Sequence, residues 1–322
     1  MNQHSKRIGS AGFRTCKIRR VSRTVKSAER QRGTKRHSIA FIGAGALATS
    51  MARSLSSRGY EVREFVVRVS RSSQKRKARR QTETLARELG ARVSSLENCT
   101  LDAEIIWFAV PDDAIEQCSK RLARERELAG RIALHSSGAL SSDALEAMRR
   151  AGASIASLHP MMSFSAASKN PELKDVWFSI EGEQKALRLA REIVKYLGGN
   201  VLPLRSEQKA LYHAFGAMIA PLLVSHLKAA EVMGGRVGLA PKQTRVVMKP
   251  IVEKVVAAFL DSGADRAFSG PFLRGDVKTV ERHLAAIRGS AEENAYRALA
   301  QYAIEHIKVE DKEKLRKLLA KP

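Results

Sequence analysis

Apolar and polar residues follow two different patterns along the chain, and the change falls near residue 205. From Ser38 onward, short apolar runs alternate with amphipathic stretches of helical length. The run Ala103 to Val110, AEIIWFAV, is apolar throughout, as in strands that are buried on both faces. Strands that alternate with helices in this way indicate parallel βαβ units. The first part of the chain is therefore predicted to be of the α/β class, with a doubly wound, mostly parallel sheet.

The second part shows helical patterns and no convincing strand. One long helix is predicted from Ser206 to Met233, and because it is apolar nearly all round it is predicted to be buried. Pro221 is expected to kink this helix, unless two helices meet there. Further helices are predicted at about Pro241 to Leu260 and Val277 to Ile287. The second part is therefore predicted to be an all-helical C-terminal domain.

Basic residues are concentrated at the N-terminus. Of the 57 Lys and Arg residues of a chain with net charge +24, 12 lie in residues 1–37, opposite the single acid Glu29. This segment has little apolar periodicity and is predicted to be disordered. Its composition allows a solubilising extension, an arm that makes weak contacts with nucleic acid, or an organelle transit segment. The predicted domains are this extension (1–37), a sheet domain (38–204) and a helical domain (205–322).

The cysteines and the hydropathy bear on the compartment. Cys16, Cys99 and Cys118 are odd in number and far apart, so we expect neither a disulfide framework nor a metal site. We expect no membrane span, because no stretch approaches the roughly 20 apolar residues that a spanning helix needs. The longest candidate, Ala210 to Val224, is interrupted by polar residues. The chain is predicted to be soluble and cytoplasmic.

A glycine-rich turn follows the first strand. Gly43, Gly45 and Ala48 form a GxGxxA pattern between that strand and a helix, which is the context that dinucleotide binding requires. The first glycine permits the turn, the second admits a pyrophosphate, and the small third residue lets the helix pack on the strand. A merely structural turn is the alternative. Gly43, Gly45, Ala46, Leu47 and Ala48 are therefore predicted to bind a dinucleotide cofactor.

The residues after the second strand (Val62 to Val69) indicate which dinucleotide is bound. An acidic residue there would hold the ribose diol of NAD(H). This chain has Ser70, Arg71 and Ser72 instead, which suit a 2′-phosphate. We therefore predict NADP(H) as the cofactor, and we interpret the basic residues Lys77 to Arg80 as a solvated helix face.

Polar residues also follow two later strands at the same predicted sheet edge. Val110, Pro111 and Asp112 are predicted to flank the cofactor, although Asp112 also suits a helix cap. The stretch LHSSGAL carries Ser136, Ser137 and Gly138, whose hydroxyls and amides are predicted to bind a substrate carboxylate. The alternative is a Ser-rich connection that caps the next helix.

Candidate proton donors lie further along the chain. His159 ends another strand and titrates near neutral pH, although a structural histidine is equally consistent with its place. Lys209 and His213 share one face of the long helix and are predicted to protonate a substrate as hydride reaches carbon. Both can instead be structural residues whose polar groups are hydrogen-bonded within the protein. Arg274 and Asp276, in a Gly/Pro loop, are predicted to contact substrate, with a helix N-cap as the alternative for Asp276.

Six stretches of the chain carry a family resemblance. They are GAGALATSMARSL, VPDDAI, HSSGALSSDAL, SLHPMMSF, YHAFGA and GPFLRGD, in this order between Ser38 and Ile307. The chain resembles the Rossmann-like proteins that carry a C-terminal domain of unknown function 2520. Wider relatives include 3-hydroxyisobutyrate dehydrogenase, 6-phosphogluconate dehydrogenase, pyrroline-5-carboxylate reductase and deazaflavin-dependent NADP reductases. The resemblance implies a nicotinamide-binding Rossmann domain and a helical domain that usually dimerises.

The resemblance also bears on single residues. Lys209 matches the catalytic lysine of the hydroxyacid dehydrogenase relatives, whereas His213 stands where those enzymes have an asparagine. The substrate turn of those enzymes is similar in place to HSSGAL. The sequence thus predicts a homodimeric NADP(H)-dependent oxidoreductase that moves hydride to or from a small carbonyl, imine or hydroxy-acid substrate in an interdomain cleft. The alternatives are a non-catalytic NADP(H) sensor or scaffold with a polyanion-binding tail, and a reductase whose hydride partner is a deazaflavin.

Overall fold

The computed structural model describes residues 37–68, 73–124, 126–164 and 172–320. From His37 on, the chain forms one compact unit. The basic segment 1–36 and the predicted phosphate-binding residues Ser70, Arg71 and Ser72 lie outside the described ranges, so those predictions stay predictions.

The centre of the fold is an eight-stranded sheet with the order β3-β2-β1-β4-β5-β6-β7-β8. Its strands are β1 (Ser38–Ile42), β2 (Glu61–Val66), β3 (Arg92–Ser94), β4 (Ile105–Phe108), β5 (Ile132–His135), β6 (Ser154–Pro160), β7 (Trp177–Gly182) and β8 (Asn200–Pro203). Neighbouring strands are parallel except β6 and β7, which are antiparallel. The prediction of a doubly wound, mostly parallel sheet is confirmed.

Helices cover the sheet and form the rest of the chain. They are α1 (Ala46–Ser56), α2 (Ser73–Leu89), α3 (Asp112–Ala123), α4 (Glu146–Arg150), α5 (Gln184–Leu197), α6 (Lys209–Ile219), α7 (Pro221–Arg236), α8 (Pro241–Ser262), α9 (Ala264–Ala267), α10 (Val277–Ile287), α11 (Ala291–His306) and α12 (Lys312–Ala320). Short 3₁₀ turns span Ser142–Leu145 and Ser206–Gln208. The prediction of a helical C-terminal region is confirmed.

Aromatic side chains organise one face of the sheet. Phe41 on β1 is fully buried and stacks between Phe65 on β2 and Trp107 on β4, with ring centroids 5.7 and 5.6 Å apart. All four residues of β4 are buried, as the apolar run predicted. The strand is shorter than that run because Ala109, whose N–H donates to the carbonyl oxygen of Ile42, begins the turn at the sheet edge.

The predicted long helix is two helices. The backbone at Ala220 leaves the helical region, with φ −122° and ψ −85°, so that α6 ends at Ile219 and α7 begins at Pro221. Proline is favourable at the first position of a helix, where its missing N–H has no partner to lose. The alternative in which two helices meet at Pro221 is confirmed, and the prediction of a single helix is wrong.

The prediction that this helical segment is buried is also wrong. None of the side chains of α7 is buried, and α8 buries only Thr244, although Arg236 at the end of α7 pairs with Glu292 of α11 at 2.6 Å. The segment Ser206–Arg236 is long and apolar enough, at a mean hydropathy of 1.4, to cross a membrane by length and composition. The expectation that no stretch meets this criterion is therefore corrected. Lys209, Tyr212 and His213 lie near the start of the segment, the stretch from Ala214 to Val224 is apolar, and His226, Lys228 and Glu231 follow.

A second, smaller core joins α10, α11 and α12. Val280 and Leu284 of α10 pack against Ile304 of α11 and Leu315 of α12, and all four are buried. The hydroxyl oxygen of Ser290 accepts from the N–H of Glu293 at 3.3 Å and so caps α11. The chain after α9 is thus packed, in contrast to α7 and α8.

Candidate functional site

The glycine turn between β1 and α1 has two different glycines. Gly43 has φ +102°, and a Cβ at this position would lie 2.4 Å from the carbonyl oxygen of Ala109, so no other residue fits. At Gly45 a Cβ would meet no atom within 4 Å. Gly45 therefore faces open space in front of the N-terminus of α1, where unpaired N–H groups favour a phosphate.

A cleft of about 650 Å³ extends from this turn along the end of β2 to the start of α3. It is lined by Ile42, Gly43, Ala44, Gly45, Val66, Val67, Arg68, Ala78, Arg79, Thr82, Leu96, Ala109, Val110, Pro111, Asp113, Ala114, Gln117 and Cys118. Four of the predicted cofactor residues, Gly43, Gly45, Val110 and Pro111, therefore share one cleft. The cleft lies at the carboxyl edge of the strands, where α/β sheets bind their ligands.

The other predicted cofactor residues lie beside the cleft. Ala46, Leu47 and Ala48 form the first turn of α1, and Ala48 is fully buried against the sheet, as the small third residue of the motif requires. Asp112 begins α3, and its carboxylate accepts a hydrogen bond of 2.7 Å from the hydroxyl of Ser137. Asp112 thus connects the cleft to the Ser-rich turn.

Two arginines of the cleft were missed in the sequence. Arg68 lies two residues after the end of β2, and Arg79 reaches the cleft from α2, where its Nε donates to Glu83 at 2.9 Å. Arg79 falls in the stretch that was interpreted as a solvated helix face. The structure shows that it shares a helix face with Thr82, a buried residue three positions on that also lines the cleft.

The Ser-rich turn after β5 is fixed by side chains from neighbouring elements. The hydroxyl of Ser137 donates to Asp112 and accepts from the N–H groups of Ala139 and Leu140, at 3.1 and 2.9 Å. The indole N–H of Trp107 donates to the hydroxyl oxygen of Ser136 at 2.7 Å. Within the described chain, the hydroxyl hydrogen of Ser136 and the N–H of Gly138 have no acceptor. Those two donors, and not the hydroxyl of Ser137, are available to a ligand.

The first residue of this stretch, His135, is fully buried at the end of β5. Its Nδ1 accepts from the N–H of Ser137 at 3.1 Å, so the proton is on Nε2, which donates to the carbonyl oxygen of Ser141 at 2.9 Å. Burial lowers the pKa of His135 to about 4, which keeps it neutral. The carboxylate of Glu181 accepts from both the N–H and the hydroxyl of Ser142 at 2.7 Å. Both ends of the turn are thus held in place.

Lys209, at the start of α6, lies behind the turn. Its side chain is 1% exposed, and Nζ donates to the carbonyl oxygen of Ser137 at 2.9 Å and to the hydroxyl oxygen of Ser157 at 2.6 Å. Burial lowers the pKa of Lys209 to about 8, against the opposite effect of the nearby carboxylates of Glu181 and Asp112. The ammonium therefore contacts the protein and not the open cleft.

Two histidines lie in front of the turn. Nδ1 of His159 lies 3.1 Å from the hydroxyl of Tyr212, and burial, together with the positive charge of Lys209, lowers the pKa of His159 to about 3. His213 is exposed, and its ring centroid lies 6.0 Å from that of His159. A Cβ on Gly138 would lie 2.6 Å from Cδ2 of His213 and 2.9 Å from Nε2 of His159. The structure thus brings Gly138, His159 and His213 together, with Lys209 behind them.

The structure does not bring Arg274 and Asp276 to this group of residues. Asp276 is the N-cap of α10, where its carboxylate accepts from the N–H of Thr279 at 3.1 Å. Arg274 is exposed, and a Cβ on the adjoining Gly275 would lie 2.7 Å from both the carbonyl oxygen of Glu310 and Cβ of Asp311. Their loop therefore belongs to the packed helical region after α9.

Comparisons with known proteins agree with this architecture. Residues 24–160 match the model of a Rossmann-like domain, and residues 176–303 match the model of the domain of unknown function DUF2520. The chain therefore belongs to the Rossmann-like proteins with this C-terminal domain, as the resemblance implied. No curated protein matches the sequence.

Solved structures share the fold at low sequence identity. Protein BF3122 of Bacteroides fragilis is 21% identical with a TM-score of 0.68, over 84% of this chain and 99% of that one. Protein TM1727 of Thermotoga maritima is 22% identical with a TM-score of 0.62, over 87% and 98%. The reductive aminase of Aspergillus terreus, in complex with NADPH and ethyl-5-oxohexanoate, is 18% identical with a TM-score of 0.59, over 88% and 99%. These likenesses establish the fold.

Proposed function

We propose that this chain is an NADP(H)-dependent oxidoreductase that transfers hydride to or from a small carbonyl, imine or hydroxy-acid substrate. One observation carries the proposal. The glycine turn has open space at Gly45, and the hydrogen bond between Asp112 and Ser137 connects its cleft to the Ser-rich turn. Two histidines and two hydrogen-bond donors without acceptors lie at the same sheet edge. The NADPH and keto ester held by the Aspergillus terreus reductive aminase support this assignment.

In the proposed complex the cofactor occupies the 650 Å³ cleft. The N-terminus of α1, from Gly43 to Ala48, holds the pyrophosphate, and the cofactor lies against Val110 and Pro111. Arg68 and Arg79, with the predicted Ser70, Arg71 and Ser72, hold the 2′-phosphate, because guanidinium groups pair with phosphate oxygens. Bound NADPH would supply the hydride.

The substrate in this proposal lies in front of the Ser-rich turn. The Ser136 hydroxyl and the Gly138 N–H donate to one of its oxygen atoms, and the imidazoles of His159 and His213 face it. His159 is neutral near neutral pH and acts as a hydrogen-bond partner, whereas the exposed His213 is assigned as the proton donor to the substrate. Proton transfer and hydride transfer together reduce a carbonyl or imine.

The first test is cofactor binding followed by turnover. Calorimetric titration should show saturable binding of NADPH that is tighter than that of NADH, and a screen of carbonyl compounds with and without amines should reveal NADPH oxidation. His213→Gln should abolish most turnover while NADPH binding stays unchanged. Binding without any turnover would favour the cofactor-sensor alternative, and no binding of either dinucleotide would contradict both.

We further propose that the chain is a homodimer through α6, α7 and α8. Large apolar side chains are exposed along these helices, and we call them the α6–α8 apolar surface: Leu211, Phe215, Met218, Ile219, Leu222, Leu223, Val224, Val232, Val246, Val247, Ile251, Val255, Val256, Phe259 and Leu260. A continuous exposed apolar patch of this kind is typical of a protein interface. A lipid bilayer is less suited than a second copy of the chain to cover this surface. Lys249, Glu253 and Lys254 lie among the apolar positions of α8 and would have to lose their hydration in a bilayer.

Sedimentation velocity of the full chain tests the dimer. The wild-type protein should sediment as a dimer, and Val247→Asp with Ile251→Asp should convert it to a monomer. Gln81→Asp, which places a charge on the exposed face of α2, should leave the dimer intact. Flotation of the protein with phospholipid vesicles, or a wild-type monomer, would contradict the proposed dimer.

A further inference from the structure

Tyr212 and His159 form a hydrogen-bonded pair at the candidate site. The Tyr212 hydroxyl lies 3.1 Å from Nδ1 of His159, and the two rings are nearly perpendicular, at 89°, with centroids 5.6 Å apart. Tyr212, on α6, is buried, whereas His159, near the end of β6, is partly exposed. The hydrogen bond therefore lies on the inner edge of the imidazole.

His159 is a neutral imidazole near neutral pH. Burial lowers its pKa to about 3, and the charges of Lys209, His213 and His135 act in the same direction. A neutral imidazole has one nitrogen that donates and one that accepts, and the hydrogen bond at one nitrogen decides where the proton is. The pair therefore has two possible states: either the Tyr212 hydroxyl donates to Nδ1, or Nδ1 donates to the Tyr212 oxygen.

Ser179 distinguishes between these two states. It lies opposite His159 in the antiparallel β6–β7 pair, is fully buried, and its hydroxyl has no partner within hydrogen-bond distance in the described chain. Burial raises the pKa of Tyr212, and the hydroxyl and backbone N–H of Ser179 oppose this rise, because they direct donors toward the Tyr212 oxygen. A backbone N–H can only donate, so the Tyr212 oxygen accepts on this side. The hydrogen of the Tyr212 hydroxyl is left for Nδ1, and the His159 proton is then on Nε2.

Nε2 lies on the other edge of the ring, toward the Ser-rich turn. A Cβ on Gly138 would lie 2.9 Å from Nε2 and 3.0 Å from Cε1 of His159, and the ring centroid of the exposed His213 lies 6.0 Å from that of His159. Among the residues that the structure describes, Nε2 has no hydrogen-bond partner, and it is not one of the buried side-chain atoms that lack a partner. Solvent, or a ligand in its place, therefore reaches Nε2.

We propose that Tyr212 is a positioning residue for His159: its hydroxyl donates to Nδ1 and fixes the tautomer in which Nε2 carries the proton and donates to the substrate. A carbonyl oxygen or an imine nitrogen is an acceptor, which a protonated Nε2 attracts and a lone pair on Nε2 would repel. His159 thus binds the reacting group as a donor and does not supply the proton that the reaction consumes. The substrate contact rests on the proposed function, whereas the state of the Tyr212–His159 pair can be measured without it.

The first test is the tautomer of His159 in the wild-type protein. In protein with ¹⁵N-labelled histidine, long-range correlation of the ring hydrogens with both ring nitrogens distinguishes the tautomers, because a nitrogen with a lone pair resonates far downfield of one that carries hydrogen. The chain has 8 histidines, and His159→Gln identifies the signals of His159. At pH 7, Nδ1 should give the downfield signal and Nε2 the upfield signal. The opposite assignment would overturn the proposal, even if no variant of Tyr212 folds.

The second test removes the Tyr212 hydroxyl and keeps its ring. In Tyr212→Phe the His159 proton is no longer fixed, so the two tautomers should exchange and the Nδ1 and Nε2 signals should move toward each other. Unchanged nitrogen signals would show that Tyr212 does not determine the tautomer. A merely structural role of Tyr212 in packing would not produce this change, because phenylalanine fills the same space.

The chain contains a matched control pair away from the candidate site. The Tyr296 hydroxyl lies 2.8 Å from Nδ1 of His283, and the two rings meet at 88°, in the packed region of α10 and α11. Tyr296→Phe therefore removes the same kind of hydrogen bond. It should change the signals of His283 only, and leave those of His159 as they are in the wild-type protein.

The third test measures turnover with the carbonyl compound that gives the fastest NADPH oxidation in the screen. Tyr212→Phe should lower kcat about two- to tenfold, the effect of one neutral hydrogen bond, and leave the Kd of NADPH unchanged. Tyr296→Phe should change neither quantity. Equal losses of kcat in the two variants, or a kcat of Tyr212→Phe equal to that of the wild-type protein, would contradict the positioning role.

The outcomes separate this inference from the proposed function. A His159 with the proton on Nδ1 overturns the inference even if calorimetry shows NADPH binding and the screen shows turnover. Conversely, an Nε2-protonated His159 that depends on Tyr212, in a protein that binds no dinucleotide, supports the role of Tyr212 in the pair and contradicts the proposed oxidoreductase.

Discussion

The sheet region and the helices α6–α8 use apolar residues in opposite ways. In the sheet, β1 and β4 are buried along their whole length, and helices from both flanks cover them. In α7 and α8 nearly every large apolar side chain is exposed. Both regions contain many large apolar residues, so the presence of apolar residues alone does not say where the core lies. Apolar residues indicate only that a surface must be shielded from water. Helices of the same chain shield the sheet, whereas most of α8 is left exposed in the described chain.

The largest expected effect comes from truncating one large apolar side chain in each region. Phe41→Ala should lower the free energy of unfolding by about 3–5 kcal/mol, because Phe41 is fully buried between two other rings. Ile251→Ala, at a residue 64% exposed, should change it by no more than about 0.5 kcal/mol in the monomer. Urea unfolding at low and high protein concentration measures both. A large effect of Ile251→Ala that does not depend on protein concentration would contradict the comparison.

The two glycines of the first turn should also respond differently. Gly43→Ala forces a Cβ onto the carbonyl oxygen of Ala109 at positive φ and should cost about 1–3 kcal/mol of stability. Gly45→Ala meets no atom, so stability should be unchanged while NADPH binding weakens because the Cβ occupies phosphate space. Thermal unfolding and calorimetry distinguish the two. Equal losses of stability would show that the turn is purely structural.

Acid should destabilise the sheet edge through a buried histidine. The pKa of His135 falls from about 6.5 in the unfolded chain to about 4 in the folded protein, so the unfolded state binds the proton first as the pH falls. His135 should therefore remove about 2 kcal/mol of stability between about pH 7 and pH 5. Denaturant unfolding of wild-type and His135→Gln proteins at both pH values measures this contribution. Parallel pH dependence in the two proteins would show that His135 is not the source.

The smallest expected effect concerns the choice of dinucleotide. Arg68→Ala and Arg79→Ala should each weaken NADPH binding about tenfold, by loss of a charge-assisted contact with the 2′-phosphate, and leave NADH binding unchanged. Arg87→Ala is the control on α2, since Arg87 donates to the carbonyl oxygen of Glu83 and is not among the residues that line the cleft. If both dinucleotides lose affinity equally, these arginines do not bind the 2′-phosphate.

Much of the sheet region could be predicted because its signals are local. The limits of α10 are those that the periodicity predicts, and the GxGxxA turn has the positive φ at Gly43 that its first glycine implies. The α6–α7 segment was harder, since Pro221 fits both a kinked helix and the start of a new one. The backbone at Ala220 decides between them.

The candidate site divides in the same way. The sequence identified Gly138, His159, Lys209 and His213, because each follows a strand or begins a helix at a predicted edge. The sequence could not show that the Ser137 hydroxyl is hydrogen-bonded to Asp112, 25 residues away. It also could not show that Lys209 faces inward, where it bonds to Ser137, 72 residues away. Arg79 was missed because its place in the lining of the cleft, unlike that of its basic neighbours, is visible only in the structure.

The sequence by itself determined the helical and sheet regions, the mostly parallel sheet and the glycine-rich turn, because periodicity and backbone conformation are properties of neighbouring residues. The tertiary structure alone decided which polar groups are used up inside the protein and which remain for a ligand. It also decided that α7 and α8 lie open. Burial and hydrogen-bond partners arise from contacts between distant segments, and a linear pattern does not contain them.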